Sequence, residues 1–147
     1  RDNKSEVEVR HQCGIGKKHG VNKLYKEANI HSVVEEFFDD PSEQVDWCDY
    51  VVCRSGALTI SEVSSMSKGA LMIPLPNAID NHQLFNAEHI MDINMGIIHQ
   101  EKNGVENLKN LLNKINEEKL YEEWQKQVDQ KHFNASNQIA NAIIENL

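Results

Sequence analysis

Short apolar segments alternate with helix-like stretches about five times along this chain, and that rhythm limits what it can become. Val7 and Val9 alternate with charged residues ahead of His11-Gln12-Cys13-Gly14, the pattern of a strand running into a glycine loop. Residues 32–37, Tyr50-Val51-Val52-Cys53, 70–74 and 95–98 read as four more short strands. The run 50–53 has the unbroken apolar character of a strand buried on both faces of a parallel sheet. Helices are expected over 21–28, from Pro41 to about Trp47 with Asp40 as N-cap, and from the Arg54-Ser55-Gly56 break to about Lys68, where Gly69 ends the helix. A further helix spans 81–92, with Leu84, Phe85, Ala87 and Ile90 on one side. The remainder reads as three helical pieces, 105–115, 118–128 and 135–147. Such alternation predicts an α/β fold, a Rossmann-like doubly wound parallel sheet with right-handed crossovers. Ligands of such sheets lie beyond the carboxyl ends of the strands. The loops to search are therefore 12–20, 37–41, 54–59, 74–81 and 99–104.

The 147 residues are enough for one domain with a core of its own, and 39% apolar with 26% charged residues is an ordinary globular balance. The longest apolar run, 70–76, is far too short to span a membrane, and no secretory signal is visible. The chain opens on Arg1 rather than Met, as a piece of a longer protein would. A net charge of −8 argues against a nucleic-acid partner. That total hides a basic start, since residues 1–26 carry seven basic and three acidic groups. Those lysines read as solvated surface or as neighbours of a phosphate or an anionic membrane. The three cysteines, Cys13, Cys48 and Cys53, form no C-x-x-C, which points to a reducing compartment rather than a disulfide framework or zinc site. No two histidines have zinc-protease spacing, and no Ser-His-Asp or Cys-His nucleophile set can be assembled.

The richest constellation is Cys53-Arg54-Ser55-Gly56-Ala57-Leu58-Thr59-Ile60-Ser61-Glu62. A buried strand ends, a glycine permits a tight turn, and the exposed N–H groups of a helix start make an anion site suited to a diphosphate. Glu62, about one turn into that helix, is placed to accept the two hydroxyls of a ribose. The same residues also spell a capping box, with Thr59 as N-cap and Glu62 reaching back to it. A second constellation is Asp80-Asn81-His82-Gln83-Leu84-Phe85-Asn86, with Asp80 as N-cap. His82, Gln83 and Asn86 in the first helical turns suit the hydroxyls of a sugar, or simply a polar helix start facing water. In a third, Phe37-Phe38-Asp39-Asp40, a strand end could offer its backbone N–H and C=O to a flat base edge. Asp39-Asp40 is not an Asp-x-Asp metal signature, and Gly14-Ile15-Gly16-Lys17 lacks full phosphate-loop spacing.

Taken together these segments resemble the C-terminal domain of the MurG family, the N-acetylglucosaminyltransferases that complete lipid II in bacterial peptidoglycan synthesis. The resemblance rests on Arg10-His11-Gln12-Cys13-Gly14, Glu36-Phe37-Phe38-Asp39-Asp40, the stretch 49–62, Pro74-Leu75-Pro76 and Asp80-Asn81-His82-Gln83-Leu84-Phe85-Asn86-Ala87, in family order and spacing. It covers about residues 7–147, and the Arg54-to-Glu62 run is its most specific part.

The resemblance implies the C-terminal half of a GT-B glycosyltransferase that binds UDP-N-acetylglucosamine (UDP-GlcNAc). It gives Phe38 the uracil through its backbone, and places Ala57, Leu58, Thr59, Ile60 and Ser61 along the diphosphate and sugar. It gives Glu62 the ribose diol, a role compatible with capping, and assigns the sugar hydroxyls to Gln83 with His82 and Asn86. The lipid I acceptor and the catalytic base belong to the family's N-terminal domain, which this chain does not contain, and the resemblance implies that the parent protein meets the anionic inner membrane at its cytoplasmic face. The family's first nucleotide-domain strand and its Gly-Gly-Ser-Gln-Gly loop are absent too, so residues 1–147 are expected to be a partial domain. No cofactor and no metal are expected. The implied reaction is direct displacement with inversion, UDP leaving. Two other readings remain at this point: a UDP-GlcNAc 2-epimerase on the same fold, and a non-catalytic α/β module such as a receiver domain.

Overall fold

The computed structural model describes residues 7–76, 81–127 and 141–145. The chain divides into two compact units, one ending at Gln44 and one beginning at Val45.

The first unit is a strand–helix–strand turn. Strand β1 (Glu8–Gln12) pairs in parallel with β2 (His31–Glu35), from Glu8 opposite His31 to Gln12 opposite Glu35. Between them runs helix α1 (Lys18–Glu27), which starts three residues earlier than the apolar spacing suggests and ends where Asn29 adopts a left-handed φ of 54°. The His11 ring packs edge-on against Tyr25 of α1 and shares a 2.9 Å hydrogen bond with its hydroxyl, which ties helix to strand. The connecting loop turns through Gly14 and Gly16, both at positive φ (79° and 74°), where a side chain would be strained. Asp40 caps α2 (Pro41–Trp47) as expected, accepting the Ser42 and Glu43 amides at 3.0 and 3.2 Å. The Ser42 hydroxyl and then the Glu43 amide hold its carboxyl below the usual carboxylate range.

The second unit is a three-layer α/β body. Strands β3 (Tyr50–Cys53), β4 (Gly69–Met72) and β5 (Gly96–Ile98) form a sheet in the order β3-β4-β5, every pair parallel. Successive strand side chains point to opposite faces, so the four buried residues of β4 serve two cores. Ala70 and Met72 pack with Ile60, Val63, Ala87 and Ile90 from helices α3 (Ala57–Ser65) and α4 (His82–Asp92). Leu71 faces the other way, onto Ile115 of α5 (Gly104–Glu117) and Trp124 of α6 (Leu120–Trp124).

Four details differ from the sequence expectation. Gly69 does not end α3. The helix stops at Ser65, Ser67 takes the left-handed turn at φ 53°, and Gly69 opens β4 beneath Trp124. A Cβ on Gly69 would collide with the indole, so the glycine answers a packing demand. Strand β3 is not buried on both faces; it lies at the edge of its sheet and Val52 is 50% exposed. Phe85 is 61% exposed, leaving Ala87 and Ile90 as the buried side of α4. The expected helix 118–128 shortens to α6 because Lys119 sits in the left-handed region at φ 50°. Of the piece 135–147 the described residues are 141–145, with 141–144 helical, and the Asp80 cap and most of the loop 76–80 lie outside the described residues. No described helix is long and apolar enough to cross a membrane.

Candidate nucleotide-sugar site

Strand β3 ends at Cys53, and after three intervening residues α3 begins at Ala57. Gly56 is the N-cap, extended at φ −64° and ψ 144°, and its carbonyl accepts the first helical bond from Ile60 at 3.0 Å. The amides of Ala57, Leu58 and Thr59 precede that bond, so the helix leaves them unsatisfied, and no side chain caps them. They sit at the positive end of the helix dipole. The glycine itself is informative. Its φ suits any residue, and a Cβ built on it would meet no atom within 4 Å. Neither backbone nor packing requires a glycine there; its effect is to leave open ground before the helix start.

This register removes the capping box. Thr59 is the third helical residue and Glu62 the sixth, so Glu62 does not reach back to an N-cap at Thr59. Its carboxylate is exposed and makes no hydrogen bond or ion pair among the described residues. Leu58 is 82% exposed, whereas Ile60 is 3% exposed and belongs to the core, with its amide bonded to Gly56. Ile60 thus anchors the helix start from the core. Thr59 and Ser61 are half-buried.

The first turn of α4 is bound to the same strand end. Ser55, fully buried, donates through Oγ to the Gln83 carbonyl at 2.6 Å, and its own carbonyl accepts from Asn86 Nδ2 at 3.0 Å. Gln83 Oε1 accepts the Leu75 amide at 3.1 Å, drawing in the loop that follows β4. Gln83 and Asn86, expected at a sugar, therefore also hold three chain segments together, each keeping half of its side-chain amide for other partners. His82 is exposed at the helix start, just after Asn81 at a left-handed φ of 55°. Arg54 adds a further tie, donating to the Ile73 carbonyl at 3.1 Å and pairing with Glu101 at 2.6 Å. The sequence reading assigned no role to Ser55 or Arg54. The available signal was a small polar residue and a cation wedged between a buried strand and a helix-starting glycine.

In the first unit, Phe38 is half-buried three residues beyond β2. Its N–H donates to Gln12 Oε1 at 3.0 Å, leaving its carbonyl as the backbone group open to a base. Gly16 N–H likewise meets Glu36 Oε1 at 2.6 Å.

Comparison with known proteins gives this geometry a family. Residues 1–143 match the model of the glycosyltransferase family 28 C-terminal domain. The UDP-N-acetylglucosamine--N-acetylmuramyl-(pentapeptide) pyrophosphoryl-undecaprenol N-acetylglucosamine transferase of Alcanivorax borkumensis is 41% identical over 87 residues, 59% of this chain and 24% of that protein. The protein of the same name from Francisella tularensis subsp. tularensis is 32% identical over 142 residues, 93% of this chain and 38% of its own length. The crystal structure of Acinetobacter baumannii MurG superposes with a TM-score of 0.82 at 29% identity, covering 94% of this chain and 43% of that one. The chain thus spans well under half of the relatives it matches.

Proposed function

The chain belongs to the glycosyltransferase family 28 C-terminal domain family, and from that premise we propose that it is the donor-binding part of a MurG-type transferase. The reaction is transfer of N-acetylglucosamine from UDP-GlcNAc to the lipid-linked muramoyl-pentapeptide, a step of peptidoglycan synthesis and hence of cell-wall growth. The observation that carries this reading is the start of α3, where Gly56 leaves room that neither its backbone nor its neighbours need, in front of three unsatisfied amides.

The diphosphate lies on the Ala57, Leu58 and Thr59 amides, with Ser61 nearby. Charge grows on UDP as the glycosidic bond breaks, and these fixed donors stabilise that leaving group. Glu62 accepts the two ribose hydroxyls. Gln83, His82 and Asn86 hold the sugar, and Phe38 takes the uracil through its carbonyl. The acceptor hydroxyl attacks the anomeric carbon from the opposite side, with inversion. Holding the acceptor against that carbon can supply about 7–11 kcal/mol of the barrier. Lipid I and the proton acceptor are held by an acceptor domain joined to this one, at the cytoplasmic face of the inner membrane. The chain by itself therefore binds donor without transferring it.

The test is steady-state UDP release by a transferase carrying this chain, with a lipid I analogue as acceptor. Glu62→Ala raises KM for UDP-GlcNAc; an unchanged KM contradicts the assignment. Turnover by the 147-residue chain alone would overturn the division of labour.

A further inference from the structure

The segment that leaves β4 is held at both ends by hydrogen bonds. Ile73 follows Met72, the last residue of β4. Its N–H donates to the Cys53 carbonyl at 2.8 Å, and its carbonyl accepts from Arg54 Nη1 at 3.1 Å. Nη1 carries two hydrogens, and its second acceptor is Glu101, beyond β5, at 2.6 Å. One nitrogen thereby ties together the carboxyl ends of β3, β4 and β5. Two residues further on, the Leu75 N–H donates to Gln83 Oε1 at 3.1 Å. The Leu75 side chain is 45% exposed, so this bond rather than packing sets its place. Between the two anchors stands Pro74, buried and fixed in φ by its ring, so a displacement at Ile73 carries through to the Leu75 amide. Because that N–H can only donate, Gln83 must turn its oxygen toward it, which leaves Nε2 as the arm for a sugar hydroxyl.

We propose that Arg54, held by Glu101, is a positioning residue for sugar recognition: it fixes the segment Ile73–Leu75 and, through the Leu75 amide, the side chain of Gln83. This rests on the donor reading above and extends it to two residues that act through Gln83 rather than on the ligand. The pair is half-exposed, 47% and 45%, and such a pair contributes little to stability. Its effect lies in placement instead. The guanidinium is a planar fork, and with one acceptor on Nη1 taken away it can pivot about the other. The consequence is selective. The diphosphate and ribose are read by the start of α3 and by Glu62, so the Arg54–Glu101 pair matters to the sugar alone. Its loss can cost no more than the Gln83 contact is itself worth.

Ligand-observed NMR titration of the chain with UDP and with UDP-GlcNAc tests this, using wild type, Arg54→Ala, Glu101→Ala, Glu101→Gln, Gln83→Glu and the double variant Arg54→Ala with Gln83→Glu. Arg54→Ala and Glu101→Ala are each expected to weaken UDP-GlcNAc about three- to fivefold and to leave UDP within about twofold of wild type. Glu101→Gln keeps an acceptor for Nη1 and stays close to wild type. In the Gln83→Glu chain, which has already lost the donation to the sugar, Arg54→Ala costs nothing further, so the two changes are not additive. A role in the fold alone would weaken both ligands, or would add its loss to that of Gln83→Glu, and either result overturns the inference. So would unchanged UDP-GlcNAc affinity in Arg54→Ala or in Glu101→Ala. Far-UV circular dichroism identifies a variant that fails to fold, and Glu101→Ala then carries the same test in place of Arg54→Ala. No binding of UDP to wild type would overturn the donor reading itself, and the role of Arg54 with it.

Discussion

The buried Ser55 hydroxyl donates to the main-chain carbonyl of Gln83 at 2.6 Å, twenty-eight residues away, and so fixes the start of α4 against the end of β3. Ser55→Ala leaves that carbonyl without its partner in a site closed to water. A lost buried hydrogen bond of this kind costs about 1–3 kcal/mol. Urea unfolding of the variant should show a lower midpoint at an unchanged m-value. An unaltered midpoint would mean that Asn86 alone holds the two segments.

Glu62→Ala is expected to behave in the opposite way. The carboxylate is exposed and caps nothing, so unfolding should change little. Binding of UDP and of UDP-GlcNAc should weaken together, because the ribose is common to both, by about 1.5–3 kcal/mol. Calorimetric or NMR titration separates the cases. A loss confined to UDP-GlcNAc would move Glu62 from the ribose to the sugar.

Gln83→Glu isolates the sugar contact from the structural one. The new carboxylate still accepts the Leu75 amide, which Gln83 Oε1 holds at 3.1 Å, but it no longer donates to a sugar hydroxyl. UDP-GlcNAc should bind several-fold more weakly and UDP about as before, a change of roughly 1 kcal/mol. Equal losses for both ligands would remove Gln83 from the sugar.

Much of this was legible beforehand, and the residues show why. Tyr50–Cys53 reads to its ends from the sequence because four consecutive apolar residues stand between Asp49 and Arg54. Asp40-Pro41 gave α2 its start through a cap and a fixed φ. The start of α3 misled because Thr59 and Glu62 have capping-box spacing, while the actual N-cap is a glycine with no side chain to signal it. Gly69 reads as a helix stop until Trp124, fifty-five residues on, is known to lie across it. The ties Gln12–Phe38, Ser55–Gln83 and Arg54–Glu101 join residues far apart in sequence, and no local pattern announces them.

Gly69→Ala should accordingly be among the most damaging single-methyl additions. The new Cβ would overlap the Trp124 side chain within a fully buried strand. Overpacking of this kind costs about 1–3 kcal/mol or more. Thermal unfolding should fall by several degrees, and Trp124→Ala in the same chain should recover part of the loss. Additive destabilisation by the two changes would contradict the packing account.

Stability should also fall in alkaline solution through Cys53. Burial pushes its thiol up to about 11, whereas an unfolded thiol titrates near about 8.5. Between those values the folded chain holds a proton that the unfolded chain has released. Its contribution is full below the lower value and is lost as pH rises toward the upper one. Cys53→Ala should flatten that part of the unfolding profile relative to wild type. An identical slope in both chains would mean that Cys53 is not the group responsible.

The most direct measurement is a residue-resolved NMR titration of the isotope-labelled chain with UDP-GlcNAc. The account predicts saturable shifts at the amides of Ala57, Leu58 and Thr59, with companion changes at Glu62 and Gln83, and the same α3 amides responding to UDP alone. Saturable binding that leaves those three amides unmoved, or no binding at ligand excess, would contradict it.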